Sequence, residues 1–299
     1  MNGRRVTKLT ATADGLLLVD KPAGVSSHDV VGAARRALGE RRIGHGGTLD
    51  PFATGLLVLL VGRATRLLPH LPGDPKVYDA TIRFGVETDT EDLHGAVIRE
   101  AALPTRDALL AALPRFVGTL AQVPPAYSAK RIGGRRAYDL ARAGEPVELR
   151  PVSIRVDRWE VLGFEGEAEV VEARVRVTCG GGTYVRSLAR DLGRDLGSAA
   201  HLTALRRVRS GPFDVGDAHS LEDLRDGAVA LRPATDALPG TPRQVLTDDE
   251  VLRIARGIEV PATVDGAWGA LLNPQSGILV ALAERRDDRW QPRVVMREA

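Results

Sequence analysis

Apolar runs and alternations divide the chain into short strands and a few helices. Residues 15–20 (GLLLVD) are an apolar run closed by Lys21-Pro22, the pattern of a buried strand, and residues 56–61 are a second. Between them Ser27 is placed to cap a helix reaching about Leu38, with Val30, Val31 and Ala34 on its apolar side and Gly39 as its stop. Residues 44–55, rich in Gly, Thr and Pro, read as a loop, and 65–70 as a short helix. From 76 to 84, Val77, Asp79, Thr81 and Arg83 alternate with Tyr78, Ala80, Ile82 and Phe84, which puts Tyr78 on the face of Ile82 and Phe84. A helix is expected over 106–116, strands over 152–162 and 168–177, and a helix over 185–196. Residues 123–147 lack sustained periodicity and read as an inserted arm. The LPGTPR stretch at 238–243 reads as a linker. Beyond it Thr247 and Glu250 form a capping box before a helix ending at Gly257, and 269–272 and 278–282 form a hairpin. The tail is thus a small, mostly β module.

Composition narrows the classes. A chain of 299 residues, 43% hydrophobic, can bury a sizeable core and is expected to form two domains. Its longest strongly apolar run, at 56–61, is far short of the ~20 residues that span a bilayer. The N-terminal segment has basic residues without a following apolar stretch, so the cytoplasm is the expected compartment. Cys179 is the sole cysteine, which excludes an intrachain disulfide and a cysteine-based zinc cage. The net charge of +2 decides little, but its distribution is informative. Lys130, Arg131, Arg135, Arg136 and Arg142 stand against Asp139 alone, and Arg206, Arg207 and Arg209 cluster without an acid. Both groups are candidate phosphate contacts, since guanidinium forks grip phosphate bidentately. Aromatic content of 4% argues against a broad base-stacking platform.

The densest chemistry lies in Gly44-His45-Gly46-Gly47-Thr48-Leu49-Asp50-Pro51-Phe52-Ala53-Thr54-Gly55. Three glycines within four residues permit close approach of backbone or ligand, and Pro51 biases Asp50 toward an extended conformation. Such a turn can aim one carboxylate into a cleft, and Asp50-Pro51 taken alone equally makes a plain turn. The segment closely resembles the GHTGTLDPxATG signature of TruB-type pseudouridine synthases. Leu18 to Gly24 with Ser26-Ser27-His28-Asp29 is similar to that family's N-terminal motif, and Lys76-Val77-Tyr78 to its tyrosine-bearing strand. Residues 122–129 with Arg136-Ala137-Tyr138 resemble its RNA-gripping thumb. Residues 182–193 resemble its third active-site segment, and 201–207 its Leu-Arg-Arg element. Two departures stand out: Gly46 where the family usually has Thr, and Gly180-Gly181 where it has Ser followed by Lys or Ser.

The resemblance implies that Asp50 is the catalytic carboxylate, acting as nucleophile or as base. It implies that Tyr78 stacks on the target base and helps remove the C5 proton, and that Arg186 pairs with Asp50. Tyr184 and Leu205 would line the uracil pocket, and His45 would hold the RNA as the nucleotide leaves its stack. Lys130, Arg131, Arg135 and Arg136 would bind RNA from the thumb. The implied reaction converts uridine to pseudouridine at position 55 in the T-loop of tRNA. It requires no cofactor and no metal. Partners are tRNA through its T-arm, with no membrane, no guide RNA and a monomeric state expected.

The expected fold is α+β, a mixed and largely antiparallel sheet core flanked by helices, with a small, mostly β, PUA-like C-terminal domain. The catalytic domain is placed at 1–240, its thumb at about 122–147, and the PUA-like RNA-binding domain at 241–299. Three other readings fit parts of the sequence. An RNA chaperone that refolds tRNA requires Asp50 to be dispensable, although chaperoning can accompany catalysis. A two-carboxylate glycoside hydrolase needs paired acids, for which Asp89 and Asp92 are the best candidates without a supporting motif. The guide-RNA-dependent branch of the family lacks the thumb and carries a larger C-terminal domain.

Overall fold

A computed structural model describes residues 14–128 and 149–296, together with the backbone of two short paired strands, Arg131–Ile132 and Arg135–Arg136. The chain divides into two compact units, one of Met1–Pro51, Gly55–Gly73 and Pro212–Ala299, the other of Phe52–Thr54 and Asp74–Gly211. The architecture is α+β.

In the first unit the Gly15–Lys21 strand pairs antiparallel with Thr54–Val61 along its whole length, from Gly15 opposite Val61 to Lys21 opposite Gly55. Leu16, Leu18, Leu56, Val58 and Leu60 point into one core, while Leu17, Val19, Leu57, Leu59 and Val61 point into another with Val30, Val31 and Ala34 of the helix. Burial on both faces explains why these strands read as unbroken apolar runs rather than alternations. The helix is Ser27–Leu38, capped by Ser26 rather than Ser27, because Asp29 stands at the third helical position from Ser26 and closes a capping box. Gly39 ends it in the left-handed region, as expected. The first core also takes in Leu279, Leu282, Val294 and Met296 from a five-stranded sheet whose strands run in the order Arg243–Val245, Trp268–Leu272, Leu279–Arg286, Arg289–Val295, Val260–Pro261. The expected hairpin and the Thr247–Glu250 capping box are both present, the helix being Asp248–Ala255. Trp290, fully buried, anchors this module against Ile254 and Leu271 and donates its indole N–H to Gln244 Oε1 at 2.6 Å.

The second unit is an antiparallel sheet in the order Ala200–Ser210, Lys76–Phe84, Glu172–Cys179, Val152–Glu165, Gly118–Gln122. The Lys76–Phe84 strand has the boundaries its alternation predicts, and Tyr78, Ala80, Ile82 and Phe84 are its buried face. The Val185–Asp195 helix packs on the Ala200–Ser210 strand. That strand, which periodicity does not reveal, carries two register shifts, between Leu202 and Ala204 and between Arg207 and Arg209. Each shift moves the following side chains to the other face and erases the alternation. The helix expected over 106–116 is α-helical at Arg106–Ala112 and tightens to a 3-10 turn at Leu113–Phe116, where Pro114 cannot donate to the ladder.

Candidate active site

The Gly-rich loop joins the Ile43–His45 strand to Thr54–Val61. Its glycines serve close approach, and what approaches is the protein itself. A Cβ on Gly44 would stand 2.7 Å from Leu68 Cδ1, and one on Gly46 2.4 Å from Leu71 Cδ2. The threonine usual at position 46 in the family is therefore replaced by a glycine–leucine contact. Gly47 holds a φ of 137°, which L side chains avoid, and its N–H donates to His45 Nδ1 at 3.3 Å. The loop thus orients the imidazole from its own backbone.

Asp50 is half-buried, and both of its neighbours are pinned. The buried Ser27 Oγ accepts from Leu49 N–H at 2.9 Å and donates to Leu49 C=O at 3.1 Å. The carbonyl of Pro51 accepts from Gly24 N–H at 2.9 Å and from Lys21 Nζ at 3.2 Å. Lys21 is fully buried and also donates to the carbonyls of Val25 at 2.8 Å and Pro22 at 3.0 Å. An ammonium so deep in the protein is tolerable only with its donors engaged. Here it draws the Lys21-Pro22-Ala23-Gly24 turn and the loop that carries Asp50 together. The composition gave no hint of Lys21; its place between an apolar strand and a Pro-Ala-Gly turn is the signal that marks it as buried. The chain passes into the second unit at Phe52, two residues after Asp50, and there Arg206 Nη1 lies 3.5 Å from Thr54 Oγ1.

Within the second unit Tyr78 sits opposite Val177 on one side and Arg207 on the other. Leu205, opposite Ala80, shares the face of Tyr78, so the two residues expected at a uracil pocket are diagonal neighbours on one surface. Arg207 is 1% exposed, which corrects its reading as a surface phosphate contact: its strand position turns it inward beside Tyr78, whereas Arg209 is exposed. Tyr184 precedes the Val185–Asp195 helix and is held by Gln122, whose side chain donates to Tyr184 C=O at 3.0 Å and accepts from Tyr184 N–H at 2.9 Å. Arg186 is buried in the first helical turn. Its guanidinium donates to the carbonyls of Thr90 at 2.8 Å and Tyr127 at 2.9 Å, and lies 3.8 Å from Asp92 Oδ2. Asp92 is thus an arginine partner. Asp89 accepts from Ala96 N–H at 2.8 Å and lies 3.5 Å from the Tyr127 hydroxyl, a turn-forming role.

The Gly180-Gly181 departure falls beside the Lys76–Asp74 ion pair of 3.3 Å. A Cβ at Gly181 would come 3.2 Å from Asp74 Oδ1 and 3.4 Å from Lys76 Nζ. Burial pushes the Cys179 thiol up to about 11, so it stays protonated and is no nucleophile at neutral pH. Lys130, Arg142, Tyr138 and the side chains of Arg131, Arg135 and Arg136 lie outside the described residues. His45 and Asp50 belong to the first unit, and Tyr78, Tyr184, Arg186 and Leu205 to the second.

Two family models match consecutive stretches of the chain. Residues 35–185 match the TruB family pseudouridylate synthase (N terminal domain), and residues 186–247 the tRNA pseudouridylate synthase B C-terminal domain. The chain is 43% identical over 295 residues to tRNA pseudouridine synthase B of Mycobacterium tuberculosis (strain ATCC 25618 / H37Rv), covering 97% of this chain and 98% of that one. It is 44% identical over 289 residues to the Thermobifida fusca protein of the same name, covering 95% and 98%. Among solved structures, a Cbf5-Nop10-Gar1 complex contains a similar chain, with TM-score 0.67 and 27% identity over 95% of this chain and 85% of that one.

Proposed function

The chain belongs to the TruB family of pseudouridylate synthases, and from that premise we propose a stand-alone enzyme that isomerises uridine to pseudouridine at position 55 in the T-loop of tRNA, with Asp50 as its catalytic carboxylate. The reaction breaks the N1–C1′ bond, turns the uracil, joins C5 to C1′, and exchanges the C5 proton for one on N1. Atoms and electrons balance within the substrate. The protein's work is to extrude the nucleotide, hold the ring through its rotation and supply one carboxylate as nucleophile or base.

The observation that carries this reading is the double clasp on Asp50. With Leu49 held by Ser27, and Pro51 held by Gly24 and Lys21, the backbone that carries the Asp50 carboxylate is held on both sides before substrate arrives. Preorganisation of a reacting group is worth a large part of a catalytic barrier. Tyr78 and Leu205 offer an apolar face for the uracil, Tyr184 closes beside them, Arg186 is the carboxylate's cationic partner, and His45 braces the vacated stack. Residues 122–147 form the thumb, with Lys130, Arg131, Arg135 and Arg136 on phosphate, and 241–299 a PUA-like RNA-binding domain. The match over 95–97% of this chain and 98% of two proteins named tRNA pseudouridine synthase B supports tRNA as the substrate, and a monomer independent of guide RNA is part of the same proposal. A cytoplasmic setting belongs to the same proposal; no helix among the described residues is long and apolar enough to cross a membrane.

The test is site-resolved pseudouridine mapping on an unmodified tRNA transcript incubated with the purified protein alone. Pseudouridine should appear at position 55. Its absence there, or a requirement for a second RNA, would overturn the reading.

A further inference from the structure

The Val185–Asp195 helix carries arginines at four-residue spacing, Arg186, Arg190 and Arg194, which fall on one stripe of its surface. Opposite this stripe runs the acidic turn 87–92. Arg194 is ion-paired with Glu87, and Arg190 with Glu91, whose other oxygen accepts from Ser187 Oγ at 2.8 Å. Arg190 also donates to the carbonyl of Val123 at 2.9 Å, just as Arg186 donates to that of Tyr127, so both arginines grip the segment that leads into the arm. Glu91 and Arg190 are each 6% exposed. Glu91 holds a φ of 61°, a left-handed conformation unfavourable for its side chain, and its carbonyl accepts from Leu202 N–H at 3.1 Å. Burial lifts the Glu91 carboxyl above the ordinary carboxylate range, with Arg190 and Ser187 pulling against it.

A buried ion pair adds little stability over a well-packed apolar pair, so its presence calls for a geometric role. The turn 90–92 provides two of the groups around Arg186, the Thr90 carbonyl and the Asp92 carboxylate. Glu91, between them, is the residue bolted to the helix one turn further on. We propose that Glu91 and Arg190 are positioning residues for the isomerisation: their pair sets where the helix presents the Arg186 guanidinium and ties the root of the arm to that same helix. The inference rests on the assignment of Arg186 as the partner of Asp50.

The test compares Glu91→Gln, Arg190→Lys and their double variant with Arg194→Lys, whose ion pair to Glu87 lies outside the machinery. Single-turnover pseudouridine formation, tRNA affinity and melting temperature are measured for each. The first two variants should slow the single turnover by about a hundredfold, the scale of a small misplacement at the site. Affinity for tRNA should change by less than about threefold, because ground-state binding is left intact. The double variant should be no slower than either single, as for residues acting as one unit. Arg194→Lys should lower the melting temperature and leave the turnover unchanged. Should Arg190→Lys fail to fold, Glu91→Met/Arg190→Met fills the same volume without charge and must show the same slow turnover. Folded variants turning over at the parent rate, or a slowing in Arg194→Lys equal to that in Arg190→Lys, would overturn the proposal. Arg186→Lys is measured alongside. A parent rate there removes the underlying assignment, whereas a slow Arg186→Lys with fast 91 and 190 variants removes the positioning role alone.

Discussion

Two adjacent serines have different duties, and substituting each separately tests whether the clasp on Asp50 is functional. Ser26 caps the Ser27–Leu38 helix through its bonds with Asp29. Ser27 Oγ makes two bonds to the backbone of Leu49. Ser27→Ala removes both bonds and leaves a buried N–H without that acceptor. Two hydrogen bonds at about 1 kcal/mol each, with the desolvation of the orphaned donor, give a loss of about 2–3 kcal/mol. Taken from a typical stability of roughly 5–15 kcal/mol, this leaves no more than a few per cent unfolded, so unfolding alone cannot slow the enzyme noticeably. Displacement of the loop can: misplacing a reacting group by ~1 Å costs on the order of a hundredfold. Ser26→Ala should cost about 1 kcal/mol, the usual worth of a cap, without touching the rate. Urea titration supplies both stabilities, and single-turnover assays on tRNA supply both rates. If Ser27→Ala loses stability yet turns over like the parent, or if the two variants slow equally, the clasp does not preorganise Asp50.

Three further outcomes follow from the same geometry. Gly46→Thr should push the half-buried tip of Leu71 aside and destabilise the protein by about 1 kcal/mol, the low end of the cost of overpacking, with recovery in Gly46→Thr/Leu71→Ala; a double variant no more stable than the single one would deny the contact. Gly269→Ala should lower the melting temperature, since its Cβ would stand 2.9 Å from the ring of the buried Trp290, and an unshifted transition would show that the module yields there. Replacing Lys130, Arg131, Arg135 and Arg136 by Ala should weaken tRNA binding and flatten its salt slope by up to about 4 units; parent affinity at every salt concentration would mark them as a solvated face.

How far the sequence reveals this molecule depends on what each pattern encodes. Alternation at 76–84 reports one-sided burial and gives both the strand and the facing of Tyr78. Apolar runs at 15–20 and 56–61 report burial on both faces and give the central pair. The Ala200–Ser210 strand is hidden because its two register shifts scramble alternation and because an inward Arg207 looks like a surface cation. The cap falls one residue before Ser27 because two serines compete for it, and only the Ser26-to-Asp29 spacing separates them. Motif resemblance points to the candidate site residues and is silent on their supports. Ser27, Gln122 and the Glu91–Arg190 pair act through backbone groups and buried partners that no local pattern announces, and only Lys21, set between an apolar strand and a Pro-Ala-Gly turn, carries a local signal of burial.

The central claim is that Asp50 carries the reaction on a framework built beforehand. Release of tritium from tRNA labelled at C5 of uridine tests it most directly, because that proton leaves only when C5 has been joined to C1′. At concentrations where parent and Asp50→Asn occupy tRNA equally, affinities being within about tenfold, the parent should release the label from position 55 to completion and Asp50→Asn should release none. Sustained release by Asp50→Asn at more than a small fraction of the parent rate would contradict the account.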